Sequence, residues 1–143
     1  MISFLVCAFN EEKNIKATIE TIYNSVNKIK FINEFQIIVI NDGSQDSTDK
    51  IIQEMIVKDK NITYLKNSNN LGIGKSIRKG LESVKYPKFM LIPGDNDMPV
   101  ETITAALEHF NSADLVITFP INNEKRAKIR HVISKLFNLI YLI

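Results

Sequence analysis

Four carboxylates in this sequence stand where they could do chemistry: Glu11 and Asp42, each just after an apolar run, and Asp95 and Asp97, two residues apart. With the last two carboxylates about 5 Å apart, their repulsion costs about 3 kcal/mol at an effective dielectric near 20. A chain relieves that cost by turning the groups apart, protonating one, or setting a cation between them. Hard oxygen ligands with no neighbouring Cys or His favour Mg2+ or Mn2+ over zinc. Held by one or two carboxylates, such an ion completes its shell with water and phosphate oxygens. Taken alone, Asp95-Asn96-Asp97 also reads as a polar turn, with Asp97 serving the N-terminus of a helix opened by Pro99.

The elements that must position these residues alternate. Short apolar runs at Ile2–Cys7, Phe35–Ile40, Ile62–Leu65, Phe89–Ile92 and Leu115–Phe119 predict five buried strands. Between them, apolar residues recur at helical spacing. One helix runs from Glu11 through Ile15, Ile19, Ile22 and Val26, and a second, with Ser47 or Thr48 as N-cap, carries Ile51, Ile52, Met55 and Ile56. A third carries Ile73, Ile77, Leu81 and Val84, a fourth follows Pro99 to Phe110, and a last one is expected over Ala127–Ile143. Strand–helix alternation of this kind predicts an α/β domain with a mostly parallel sheet and helices on both faces. Ligands in such sheets sit beyond the carboxyl ends of the strands, which draws attention to Ala8–Glu11, Asn41–Ser44, Asn67–Gly74 and Gly94–Asp97.

Composition sets the outer limits. The 143 residues are 45% hydrophobic and 24% charged, ordinary values for one globular domain. A net charge of +2 does not suit a general nucleic-acid binder. The single cysteine, Cys7, excludes an internal disulfide and a Cys-rich zinc site and suits a reducing compartment. No apolar run approaches the ~20 residues of a membrane span, and the apolar start lacks a basic flank, so no signal peptide is expected. These features predict a soluble, intracellular protein. Residues 1–120 carry 13 basic and 15 acidic side chains, whereas the rest carries Lys125, Arg126, Lys128, Arg130 and Lys135 against Glu124 alone, which points to an anionic partner or surface. Two phosphate-binding patterns fail. A P-loop ending at Gly74-Lys75-Ser76 needs glycine where Asn69 stands, and a dinucleotide fingerprint has no glycine after the first strand.

In chain order, Cys7-Ala8-Phe9-Asn10-Glu11, Asn41-Asp42-Gly43-Ser44-Gln45-Asp46-Ser47-Thr48, Asn70-Leu71-Gly72-Ile73-Gly74-Lys75-Ser76-Ile77-Arg78-Lys79-Gly80 and Asp95-Asn96-Asp97 form four motifs, each after an expected strand. The set resembles the inverting family 2 glycosyltransferases of GT-A fold, especially their polyprenyl-phosphate branch, which includes the dolichyl-phosphate mannose synthases. The resemblance implies a Rossmann-like GT-A nucleotide-diphospho-sugar transferase fold over residues 1–143, incomplete on its C-terminal side. It implies nucleotide contacts from Cys7, Phe9, Glu11, Ile40, Asp42, Asp95, Asn96 and Asp97. Phe9 would lie against the base in place of the family's tyrosine, Cys7 would replace its proline, and Asp42 would accept a hydrogen bond from the base. Asp95 and Asp97 would bind Mg2+ or Mn2+ bridging the donor's diphosphate.

The same resemblance implies transfer of a sugar from a nucleotide-diphosphate donor to a polyprenyl phosphate, at the cytoplasmic face of the membrane. Arg126, Lys128 and Arg130 are candidate contacts to the acceptor phosphate, a solvated helix face being the alternative. Phe119 stands where the branch often has arginine, and Met98-Pro99 where it often has Leu-Gln. His109 and His131 read as structural, and no catalytic base is assigned. Two other readings stay open: a nucleotide-sugar-binding module without catalysis, and an interaction domain that self-associates through the apolar Leu136–Ile143.

Overall fold

A computed structural model describes residues 1–118. In chain order the elements are β1 (Ile2–Ala8), α1 (Ile15–Val26), β2 (Phe35–Asn41), α2 (Thr48–Ile56), β3 (Ile62–Lys66), α3 (Ile73–Leu81), β4 (Phe89–Pro93) and α4 (Val100–Glu108). The four strands form one parallel sheet in the order β3-β2-β1-β4. This is the α/β architecture the alternation predicts, with each strand one residue longer than its apolar run.

Side chains alternate across a strand, and here both faces are covered. Phe4, Val6, Ile37, Val39 and Ile92 meet Ile15, Ile19 and Ile22 of α1, Ile52 of α2, and Ile103 and Leu107 of α4 in the main core. On the opposite face Leu5, Ile38 and Ile40 pack with Cys7, Leu65 and Val84. There α3 lies so close that a Cβ on Gly80 would stand 2.9 Å from Ile40 Cδ1 and 3.0 Å from Leu5 Cδ2.

Three expectations change. The helix expected from Glu11 begins at Ile15, because the Glu11 carbonyl accepts the Asn14 and Ile15 amides in a separate turn (3.0 and 2.9 Å). Ser47 holds the N-cap position of α2 without a side-chain cap bond; Asp46 Oδ1 accepts the Thr48 amide instead, at 3.0 Å. Leu115–Thr118, the described part of the expected fifth strand, is not a strand. It makes no ladder with β4, and Leu115 and Ile117 are 74% and 73% exposed. The expected last helix and the apolar ending lie outside the described residues.

Candidate functional site

With all strands parallel and Ala8, Asn41 and Lys66 in register, four connecting segments leave from one edge of the sheet. Backbone bonds tie their roots together. The Asp42 amide donates to the Ala8 carbonyl (2.8 Å), the Asn67 amide to the Asn41 carbonyl (2.9 Å) and the Gly94 amide to the Cys7 carbonyl (3.0 Å). Two glycines allow the close approach. Gly43 has φ +74°, and a Cβ there would lie 2.4 Å from the Asn69 carbonyl carbon; a Cβ on Gly94 would lie 2.7 Å from the Cys7 oxygen. The sequence therefore needs glycine at both positions to bring loops from β1, β2, β3 and β4 together.

The first two loops clamp each other. Asn10, at φ 58°, donates its amide to Ser44 Oγ (3.0 Å) and accepts the Gln45 amide (2.8 Å). Glu12 donates to Asp46 Oδ2 (3.1 Å) and accepts the Ser47 amide (2.9 Å), while the Glu11 amide donates to Thr48 Oγ1 (2.8 Å). Ser44, Asp46 and Thr48 thus serve the clamp, a role their spacing alone does not announce. Above it the Phe9 ring is 41% exposed, an open aromatic face beside the loop edge. Glu11 Oε2 accepts the Asn14 side-chain amide at 2.8 Å.

Asp42 is only 4% exposed, and its oxygens are committed. Oδ1 accepts the Leu71 amide (2.9 Å) and Asn67 Nδ2 (2.8 Å), and Oδ2 accepts the Gly72 amide (2.9 Å). Burial opposes ionisation, but the Leu71 amide, the Asn67 side chain, the Ser76 hydroxyl and the Gly72 amide outweigh it and hold the Asp42 carboxyl below the usual range. Asn67, itself 2% exposed, also donates to Ser76 Oγ (2.8 Å) and accepts from Lys79 Nζ (2.8 Å). It was legible only as part of a turn-rich Asn-Ser-Asn-Asn run.

Asp46 and Asp49 are also lowered. At Asp46 burial is outweighed by Thr48, and at Asp49 the leading cause is the hydrogen bond from Lys66. A depressed folded pKa contributes stability that is complete above the unfolded value and is lost as pH falls through the folded one. Urea midpoints at about pH 7 and 5 should therefore agree closely as far as these groups are concerned, then drop by about pH 3. Asp42→Asn should flatten that drop, and an equal drop in the variant would remove Asp42 from the acid response.

Asp95 and Asp97 are both exposed beside this edge. Asp95 Oδ1 accepts the Asp97 amide at 3.1 Å, so the polar turn is present. Asn96 sits at φ 57° with its Oδ1 accepting from Thr21 Oγ1 (3.0 Å). The turn leaves the Asp97 carboxylate and the second oxygen of Asp95 open to solvent, a hard-oxygen donor pair that suits Mg2+ or Mn2+. Among the described residues no group of three or more His, Cys, Asp or Glu is placed to hold a metal ion, so the remaining ligands would come from water and phosphate.

The other expected site residues divide by burial. The Cys7 carbonyl is taken by Gly94, and its thiol faces the α3 side, where burial, then the Asp42 charge, pushes its pKa up to about 11. Ile40 is 0% exposed and packs under Gly80, and its strand is paired on both sides, so it belongs to the core and does not reach the site. Asn41 is likewise buried, donating to Tyr64 and accepting the Ser44 amide. His109 follows the far end of α4, beside Phe110, whose carbonyl accepts from Lys88 before β4; it lies at the opposite edge of the sheet. Phe119, Arg126, Lys128, Arg130 and His131 lie outside the described residues. A cavity of about 420 Å³ runs instead along the outer side of β4, lined by Phe89, Leu91, Met98, Phe110, Leu115 and Ile117.

Comparison with known proteins follows the same lines. Residues 3–141 match the sequence profile described as Glycosyl transferase family 2. A Staphylococcus epidermidis relative named teichoic acid poly(glycerol phosphate) polymerase is 32% identical over 123 residues, covering 85% of this chain and 16% of its own. The bactoprenol glucosyl transferase of Shigella phage SfV is 31% identical over 119 residues, covering 81% of this chain and 38% of its own. Among solved structures, S. aureus TarS 1-349 in complex with UDP-GlcNAc superposes with a TM-score of 0.65 at 24% identity, over 88% of this chain and 36% of that one. The chain therefore spans well under half the length of each. No helix among the described residues is long and apolar enough to cross a membrane.

Proposed function

The chain belongs to glycosyl transferase family 2, and from that premise we propose that it binds a nucleotide-diphosphate sugar at the carboxyl edge of its sheet for metal-dependent transfer of the sugar to a polyprenyl phosphate. The observation that supports the reading is that the loops bearing Phe9, Glu11, Asp42 and the Asp95–Asp97 turn are rooted against one another at that edge. The exposed Phe9 ring offers a stacking face to the base. Asp42 contributes by holding the Leu71–Gly72 backbone in place beside the base, since its own oxygens are engaged there. Asp95 and Asp97 hold the cation. When bound, Mg2+ or Mn2+ supplies a Lewis acid for the charge that develops on the departing nucleoside diphosphate.

A polyprenyl phosphate is already an anionic nucleophile and needs no protein base, which suits an edge where the described residues place no histidine. The bactoprenol relative supports this acceptor class. Arg126, Lys128 and Arg130 are assigned to the lipid phosphate and to peripheral attachment at the membrane face, each worth about 1 kcal/mol at an anionic surface.

Thermal shift with UDP-glucose, UDP-N-acetylglucosamine and GDP-mannose, each with and without Mn2+, tests the binding step. A ligand at a hundredfold excess over its Kd stabilises the folded state by about 2.7 kcal/mol. One donor series should raise the melting midpoint, and more so with Mn2+; no shift with any donor would overturn the reading. The competing outcome is binding without catalysis. Transfer of labelled sugar to undecaprenyl phosphate by this chain alone would reject it.

A further inference from the structure

Helix α1 carries a hydroxyl row each member of which reaches a partner in the segment holding the acidic turn. Thr18, Thr21 and Ser25 stand at i, i+3 and i+7, on one side of the helix. Thr18 Oγ1 donates to the Gly94 carbonyl at 2.9 Å and Thr21 Oγ1 to Asn96 Oδ1 at 3.0 Å; Ser25 Oγ makes its short bond (2.8 Å) to the Thr21 carbonyl of its own helix and a longer one (3.4 Å) to the Val100 carbonyl. Thr18 is 1% exposed and Ser25 0%.

A threonine inside a helix ordinarily returns its hydroxyl to the carbonyl four residues back. Thr18 keeps that contact, to Asn14, but at 3.2 Å, longer than its bond to Gly94. The carbonyl so fixed belongs to the peptide that leads directly into Asp95, and its orientation sets the direction in which Asp95 leaves the sheet. The other side of Gly94 is fixed by its amide bond to Cys7 and by the lack of room for a Cβ. Two residues on, Asn96 holds a left-handed backbone (φ 57°), a conformation asparagine tolerates better than most residues. Thr21 fixes the direction of the Asn96 side chain between the two acids.

We infer that this hydroxyl row seats the Gly94–Val100 segment for its cation, with Thr18 and Thr21 as positioning residues for Asp95 and Asp97. The inference rests on the metal reading of those acids given above. Groups that orient metal ligands from outside typically cost about 10–100-fold in affinity when removed, and Thr→Val keeps the shape while deleting the hydroxyl.

The test titrates Mn2+ against the chain by the electron paramagnetic resonance signal of the free ion, in the presence of UDP or GDP, whichever raises the melting midpoint. Nucleotide affinity without metal and the melting midpoint are measured in parallel. Thr18→Val/Thr21→Val should weaken Mn2+ binding by about tenfold or more. Metal-free nucleotide affinity should stay within about twofold, and Thr18→Ser should restore Mn2+ binding to near the parent value. Should the double variant not fold, Thr21→Val, at a half-buried position, gives the same readout, with a weakening beyond about twofold expected. Mn2+ affinity unchanged in the folded valine variants while Asp97→Ala loses it would overturn the positioning role alone. Mn2+ affinity unchanged in Asp97→Ala would overturn the metal reading and the positioning role with it.

Discussion

Asp97→Ala is expected to remove the metal-dependent share of nucleoside diphosphate binding while leaving the fold standing. The Asp97 carboxylate is exposed and accepts no hydrogen bond among the described residues; only the backbone amide of this residue enters the turn. Its loss therefore leaves no buried donor stranded, and the melting midpoint should stay close to that of the parent. Binding should respond very differently. Removing a group that merely orients a metal ligand costs about 10–100-fold, so removing one of two carboxylate ligands should cost at least about a hundredfold, or roughly 2.7 kcal/mol. Calorimetric titration of the nucleotide with and without Mn2+ reads the difference directly. Equal metal dependence in variant and parent would take the cation away from this turn.

The opposite pattern is expected of Asp42→Ala. This carboxylate is buried and holds the Leu71 and Gly72 amides and the Asn67 side chain. Its removal strands the Leu71 amide and one Asn67 side-chain hydrogen, while the Gly72 amide keeps Asn70 Oδ1 (2.9 Å), and an unmet buried donor costs about 1–3 kcal/mol. Leu71 and Gly72 are exposed enough for water to replace part of the loss, so a net destabilisation of about 2–3 kcal/mol in urea unfolding is expected. Hydrogen exchange locates the effect: the Leu71 and Gly72 amides should lose protection while the strand amides of β1 and β2 keep theirs. Unchanged protection at those two amides would show that Asp42 does not hold the loop. Two aspartates at one sheet edge thus differ in kind. Burial and donors make one a loop fastener, and exposure leaves the other to bind.

Much of this arrangement was readable from the chain. The runs Ile2–Cys7 and Phe35–Ile40 are apolar throughout because both faces of β1 and β2 are covered, and alternation with amphipathic helices required parallel pairing. That pairing placed the ends of β1, β2 and β4 on one edge, and with them Phe9, Asp42 and Asp95. Leu115–Thr118, the described part of the expected fifth strand, has a strand's composition but forms none, because a strand is completed only by a partner's backbone. The direction of the Asp42 carboxylate was also beyond reach, since its donors lie 25 to 30 residues away. The hydroxyl row of α1 left a visible trace, three small polar residues at helical spacing beside Ile15, Ile19, Ile22 and Val26. A helix's polar side ordinarily faces water, so spacing alone could not reveal that it faces residues 94–100, some 75 positions on.

The lone thiol of Cys7 has a practical consequence. A sulfur half-sheltered beneath a helix, with its ionisation pushed up to about 11 by burial and then by the Asp42 charge, is charged at pH 7.5 far less often than a free thiol, and the charged form is the one that reacts with maleimides and iodoacetamides. Cys7 is therefore expected to react slowly with such reagents. A cysteine put in place of Val57, 84% exposed and past the end of α2 on the far side of the sheet, would accept a single fluorophore or spin probe without first deleting Cys7 and without crowding the ligand-facing loops.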